Sequence, residues 1–84
     1  MESDTIHKAL YLVKDLSSLS GLSAYTIKYY LKLGLIKEVG RFPETNFRYF
    51  DDSTLEALRR VIDLRKDDIS LSKIRHIMDK EAHP

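Results

Sequence analysis

Ser23-Ala24-Tyr25-Thr26-Ile27-Lys28-Tyr29-Tyr30-Leu31-Lys32-Leu33 is the stretch around which the chain is organised. Wound as a helix, it puts Ala24, Ile27 and Leu31 on one face, at i, i+3 and i+7. Tyr25, Lys28, Tyr29 and Lys32 fall together on another. The first face is a core stripe. The second alternates phenols, each a flat apolar ring with one hydroxyl, and ammonium groups, each a point charge with three donors. Such a surface suits close contact with a polyanion, as a recognition helix requires. The same pattern also fits a helix packed on both sides, with half-buried tyrosines and solvated lysines. The flanking segments decide between the two.

Upstream, Val13, Leu16 and Leu19 repeat every three residues, which predicts two turns of helix with one buried stripe. Gly21 breaks the pattern as a residue that enters the left-handed region without a Cβ penalty. Leu22 is an apolar hook, and Ser23 is a good N-cap for the next helix. A short helix, a glycine turn, a capping serine and a second helix make a helix-turn-helix, an outline also found in proteins that never touch DNA. Before it, Ala9-Leu10-Tyr11-Leu12-Val13 is apolar and β-tolerant, and residues 1–10 are read as a flexible arm.

Downstream, Leu33-Gly34-Leu35-Ile36 ends the second helix at a glycine and returns two apolar residues to the core. In residues 37–50, β-formers flank a turn region containing Gly40, Pro43 and Asn46, which predicts a two-stranded hairpin, or wing. Phe47 and Tyr49 alternate with Arg48 and Phe50, so one face packs and the other projects. Arg41 enters the loop and Arg48 leaves it, placing both to reach the same phosphates or a minor groove. A third helix starts at Asp51, or at a Ser53–Glu56 capping box, and buries Leu55, Leu58, Val61, Ile62 and Leu64. Asp67-Asp68-Ile69 is a turn, and Ser70 caps a short fourth helix with Leu71, Ile74, Ile77 and Met78 inward.

Eighty-four residues make one small domain, with 43% hydrophobic and 32% charged residues and no cysteine. Thiolate metal sites, thiol redox chemistry and cysteine nucleophiles are therefore excluded within it. No apolar run approaches the roughly 20 residues needed to cross a bilayer, and the acidic N-terminus lacks a signal-peptide pattern, so a cytoplasmic protein is expected. The net charge is only +1, but residues 23–50 carry five bases against two acids, while each flank is net −1. That local excess falls on the second helix and the hairpin, where phosphate contact would be made. His7, His76 and His83 are scattered without metal-ligand spacing, and Asp51-Asp52 and Asp67-Asp68 lie at helix ends, where capping accounts for them. No enzyme, metal or cofactor is expected.

Several linked motifs, in order, resemble the N-terminal half of MerR-family transcriptional regulators. They are Val13-Lys14-Asp15-Leu16 through Gly21-Leu22-Ser23, then Thr26-Ile27-Lys28-Tyr29-Tyr30, then Gly34-Leu35-Ile36. Phe47-Arg48-Tyr49-Phe50 is similar to the family's wing motif, usually Gly-Tyr-Arg-x-Tyr, and Ile69-Ser70-Leu71 with Ile74-Arg75 is similar to its fourth-helix entry. The resemblance implies a mainly α fold, a winged helix-turn-helix of four short helices and a two-stranded β wing over residues 11–80, with 81–84 leading toward a dimerisation helix. It also implies a homodimer on an inverted repeat in promoter DNA in the full-length protein, with RNA polymerase or antirepressor contacts. Lys28 stands where the family mostly has arginine, keeping the charge without the bidentate fork. Asn46 stands at the wing glycine and Asp68 at the glycine before the fourth helix; both tolerate a left-handed backbone better than most residues.

The expected function is sequence-specific double-stranded DNA binding, with helix 23–33 in the major groove and wing 37–50 on the backbone. Tyr25 and Thr26 are assigned near base edges, because the first turns of a recognition helix enter deepest. Lys28, Tyr29 and Arg48 are assigned to phosphates, with Arg41 supporting them, Lys32 further along the helix and Phe47 on the wing. The end at Pro84 is read as a fragment of a longer regulator, monomeric alone. The alternatives are a stand-alone excisionase-like architectural factor and a winged-helix protein-interaction module.

Overall fold

A computed structural model describes residues 9–82; the greater part of the arm assigned to 1–10 lies outside the described residues. The elements in order are α1 (Val13–Ser20), α2 (Ala24–Leu33), β1 (Gly40–Arg41), β2 (Arg48–Tyr49), α3 (Asp52–Lys66) and α4 (Leu71–Ala82). This is the winged helix-turn-helix expected, with α1 and α2 packed together, the hairpin following, and α3 and α4 behind them.

Local chemistry sets the boundaries. Asp15 reaches back so that its carboxylate accepts the Leu12 N–H at 2.8 Å, satisfying a donor at the start of α1. Gly21 closes α1 at φ 80°, and its N–H donates to the Ser17 carbonyl at 3.0 Å. Ser23 Oγ accepts the Thr26 N–H at 3.1 Å and caps α2, which ends at Gly34 with φ 79°. Asp51 caps α3 by accepting from the Ser53 and Thr54 N–H groups, so the helix starts at the earlier of the two expected sites. Ser70 Oγ accepts the Lys73 N–H at the head of α4, which continues through Glu81 to Ala82, beyond the short helix the sequence suggested. Asn46 and Asp68 take φ 59° and 58°, the left-handed conformation their chemistry permits.

One core joins all four helices. Leu16, Ile27, Phe50, Leu58, Val61 and Ile74 are fully buried within it. Two expected stripes each lose a member. Ala24 is exposed, and Tyr30 is buried beside Ile27 in its place. Ala24 sits at the first position of α2 with a single methyl to bury, whereas Tyr30 lies one turn beyond Ile27 and carries a large ring. Leu19 is likewise exposed, although Val13 and Leu16, the other two members of its expected stripe, do pack into the core. In α3, Ile62 is only half-buried, and Thr54 is buried where no inward residue was expected.

The wing pairs Gly40 with Tyr49 and Arg41 with Arg48, antiparallel. Of the alternating residues, Phe50 enters the core, Tyr49 is half-buried and Phe47 projects into solvent. The Tyr49 ring lies across Gly40, where a Cβ would come within 2.4 Å of its hydroxyl, and packs on Phe42 with centroids 4.9 Å apart. The apolar stretch before α1 adds a further bridge. Tyr11 and Phe50 exchange both backbone hydrogen bonds at 2.7 Å, and the Tyr11 hydroxyl donates to Asp52 at 2.6 Å.

Candidate nucleic-acid interface

α2 buries Ile27 and Tyr30 and turns Tyr25, Lys28, Tyr29 and Lys32 outward, all exposed, with Tyr25 80% accessible. The cap at Ser23 fixes where this face begins. Thr26, assigned to the same edge, is half-buried, and its Oγ1 is 3.0 Å from Ser23 Oγ, accepting that hydroxyl's proton. Its hydroxyl therefore works within the cap, while Tyr25 beside it is unobstructed.

The wing stands next to this face. A groove of about 590 Å³ runs between the start of α1, α2 and the hairpin. Its lining combines the apolar Leu12, Val13 and Phe47 with the cationic Lys14, Lys28, Arg41 and Arg48. Apolar surface between cations suits a sugar–phosphate backbone, whose sugars are apolar and whose phosphates are charged. A second groove, bounded by α2 and the chain leaving it, is lined by Lys28, Lys32, Lys37, Glu38 and Arg48. Lys28 and Arg48 line both. Lys28, Arg41, Phe47 and Arg48 are thus brought together by the fold, although 20 residues separate the first from the last.

Glu38, just ahead of β1, binds both wing arginines. Its Oε2 accepts from Arg41 Nε at 2.7 Å, and its Oε1 accepts from Arg41 Nη2 at 3.2 Å and Arg48 Nε at 2.9 Å. The Arg41 hydrogen bond, assisted by Arg48, holds the Glu38 carboxyl below the usual carboxylate range. The same contact raises the Arg41 pKa. Among the described residues, no group of histidine, aspartate and glutamate side chains could hold a metal ion, and no helix is long and apolar enough to cross a membrane.

The family model described as MerR HTH family regulatory protein matches residues 11–81. The chain belongs to the MerR family. It is 30% identical over 71 residues to the HTH-type transcriptional regulator CueR of Bacillus subtilis, an alignment covering 84% of this chain and 48% of CueR. Among solved structures it is similar to HiNmlR, a MerR family regulator lacking the sensor domain, bound to promoter DNA (TM-score 0.78, 30% identity, 88% of this chain and 55% of that one). It is also similar to the HTH-type transcriptional regulator SkgA of Caulobacter crescentus (TM-score 0.78, 29% identity, 87% and 52%). The chain spans about half the length of each of these relatives.

In this MerR-family chain, sequence reasoning passed over three residues of the basic face. Lys14 stands in the sequence reading only within a family motif, Lys37 only as the first residue of the wing, and Glu38 only as one of the two acids of residues 23–50. Lys14 could have been found from its place on the polar side of α1, in the helix's first turn and opposite Leu16. Glu38 and Arg41 are three residues apart, but their convergence with Arg48 depends on the hairpin register.

Proposed function

We propose that this MerR-family chain binds double-stranded promoter DNA sequence-specifically and acts in transcription regulation through binding, not catalysis. α2 lies in the major groove and the wing follows the phosphate backbone. Tyr25 and Thr26 approach base edges; Lys28, Tyr29, Lys32 and Arg48 hold phosphates; Arg41 and Phe47 support them from the wing. Lys14, which lines the same groove, joins the phosphate set. In a longer, cytoplasmic protein the functional unit is a homodimer on an inverted repeat, with RNA polymerase as a further contact, and the 84-residue chain alone is monomeric.

The observation that carries this reading is the joint placement of Lys28 and Arg48 on grooves formed by α2 and the wing together. Family membership and the likeness to HiNmlR, which was solved on promoter DNA, support it. Five cations at phosphates, Lys14, Lys28, Lys32, Arg41 and Arg48, correspond to a log–log salt slope of roughly −4 to −5. Such a module binds weakly and releases readily as salt rises.

The test is an NMR titration of the protein with mixed duplex DNA at low and then higher salt. Amide shifts confined to the surroundings of Lys14 and to residues 23–32 and 41–48, shrinking with salt, are the expected result. Absence of shifts at low salt, persisting when the chain is dimerised by a fused coiled coil, would overturn the reading and leave the surface to a protein partner.

A further inference from the structure

The wing presents Arg41 and Arg48 directly opposite each other in register, and one carboxylate engages both. A carboxylate and a phosphate offer a guanidinium the same thing, two oxygens spaced to meet its forked N–H edge. Glu38 meets Arg41 in that forked manner, with Nε and Nη2 each bonded to a different oxygen, and takes Arg48 through Nε. The geometry points to Glu38 as an internal substitute for a DNA phosphate: it occupies the wing arginines in the free protein, and thereby lowers the affinity of the wing for the DNA backbone. This rests on the DNA-binding reading above and deepens it.

Two effects of opposite sign could follow from the contact, and exposure decides between them. A buried carboxylate would chiefly hold the arginines in place, so that losing it would cost binding. Here the three side chains are 33–42% exposed, and exposed ion pairs in water are weak enough to be exchanged for other partners. The charge effect is not lost in this way. With Glu38 present the cluster is +1, and without it +2, so every phosphate drawn to the wing also meets a carboxylate. Counterion release scales with the cationic charge placed on phosphates, so the carboxylate also flattens the salt dependence. Sequence reading by α2 is left untouched, because Glu38 lies on the lead-in to β1 and not on that helix. Glu38 thus weakens indiscriminate backbone binding while leaving base-edge discrimination in place.

The experiment compares the full chain with Glu38→Gln on the same fluorescent duplex over a range of salt concentrations. Glutamine keeps the size and one acceptor oxygen, and the exposed position leaves Tm essentially unchanged, which circular dichroism checks. E38Q is expected to bind about 3- to 10-fold more tightly at low salt, with a slope steeper by up to about 1, and to converge on wild type at high salt. A second readout is the pair of Arg41 and Arg48 Nε–Hε resonances. DNA should move them in the wild type, and E38Q should move them in the free protein. Equal or weaker binding by E38Q beside a wild type that binds would overturn this assignment alone. No binding by either protein would overturn the DNA reading and the assignment with it.

Discussion

Lys28 and Arg48 each line two grooves, so they are the side chains whose removal should be felt on any DNA sequence. Alanine at either position is expected to weaken binding uniformly and to reduce the salt slope by about 1, as fluorescence anisotropy against salt would report. Sequence-dependent loss would instead assign the residue to a base edge. Other single residues show what could be read ahead of the structure. Asn46 and Asp68 were legible as left-handed positions, since short polar side chains that bond locally tolerate that conformation, and they take φ 59° and 58°. Tyr25, Lys28, Tyr29 and Lys32 were legible as one outward face, because angular position on a helix follows from spacing alone. The partnership of Glu38 with Arg48, ten residues on, was not, because no local rule relates two positions across a hairpin before its register is known.

The wing is held open by a missing side chain. Tyr49 occupies the space beside Gly40, so Gly40→Ala would drive a Cβ into its ring at 2.6 Å from Cζ. Because that ring also packs on Phe42, the expected result is a displaced tyrosine and a destabilisation of about 1–3 kcal/mol, measured by chemical denaturation. The helices should keep their circular dichroism signal, while wing amide resonances broaden or shift. α4 is tied to α3 differently, by Arg60 and Glu81, whose contacts are 2.5 and 3.3 Å. Arg60 holds the Glu81 carboxyl below its ordinary value, as Arg41 does that of Glu38. For a depressed carboxyl, stabilisation is present above the ordinary value near 4.5 and is lost as pH falls through the lowered folded value. Carboxyl carbon NMR should therefore give Glu81 a midpoint below that of glutamate in an unstructured peptide, with α4 loosening only in acid. In α1 the inward Val13 and Leu16 were legible from spacing, but the exposure of Leu19 was not, because spacing does not show where neighbouring elements stop covering a helix.

For the molecule as a whole, the core is small and shared by all four helices, so no part of it is dispensable. Leu58, fully buried at its centre, contributes enough that Leu58→Ala should cost about 2–5 kcal/mol, comparable to the net stability a single core of this size supplies. A thermal melt should show Tm lowered by about 10 °C or more. The fold class was legible because α1 and α2 end at glycines, α2, α3 and α4 begin at Ser23, Asp51 and Ser70, and the hairpin carries recognisable turn chemistry. What joins distant segments was not legible, and the pairing of Tyr11 with Phe50 is the clearest case. That pairing, with the Tyr11 hydroxyl on Asp52, fastens the chain just before α1 to the chain just after β2. Everything proposed to meet DNA is strung between the two fastened points. The bridge is thus a clasp on the loop that carries α2 and the wing, closing at its ends what Leu16, Ile27 and Tyr30 hold to the core along its length. The exchange rates of the Tyr11 and Phe50 amide protons would then time the opening of the whole binding face, and not merely the fraying of one end.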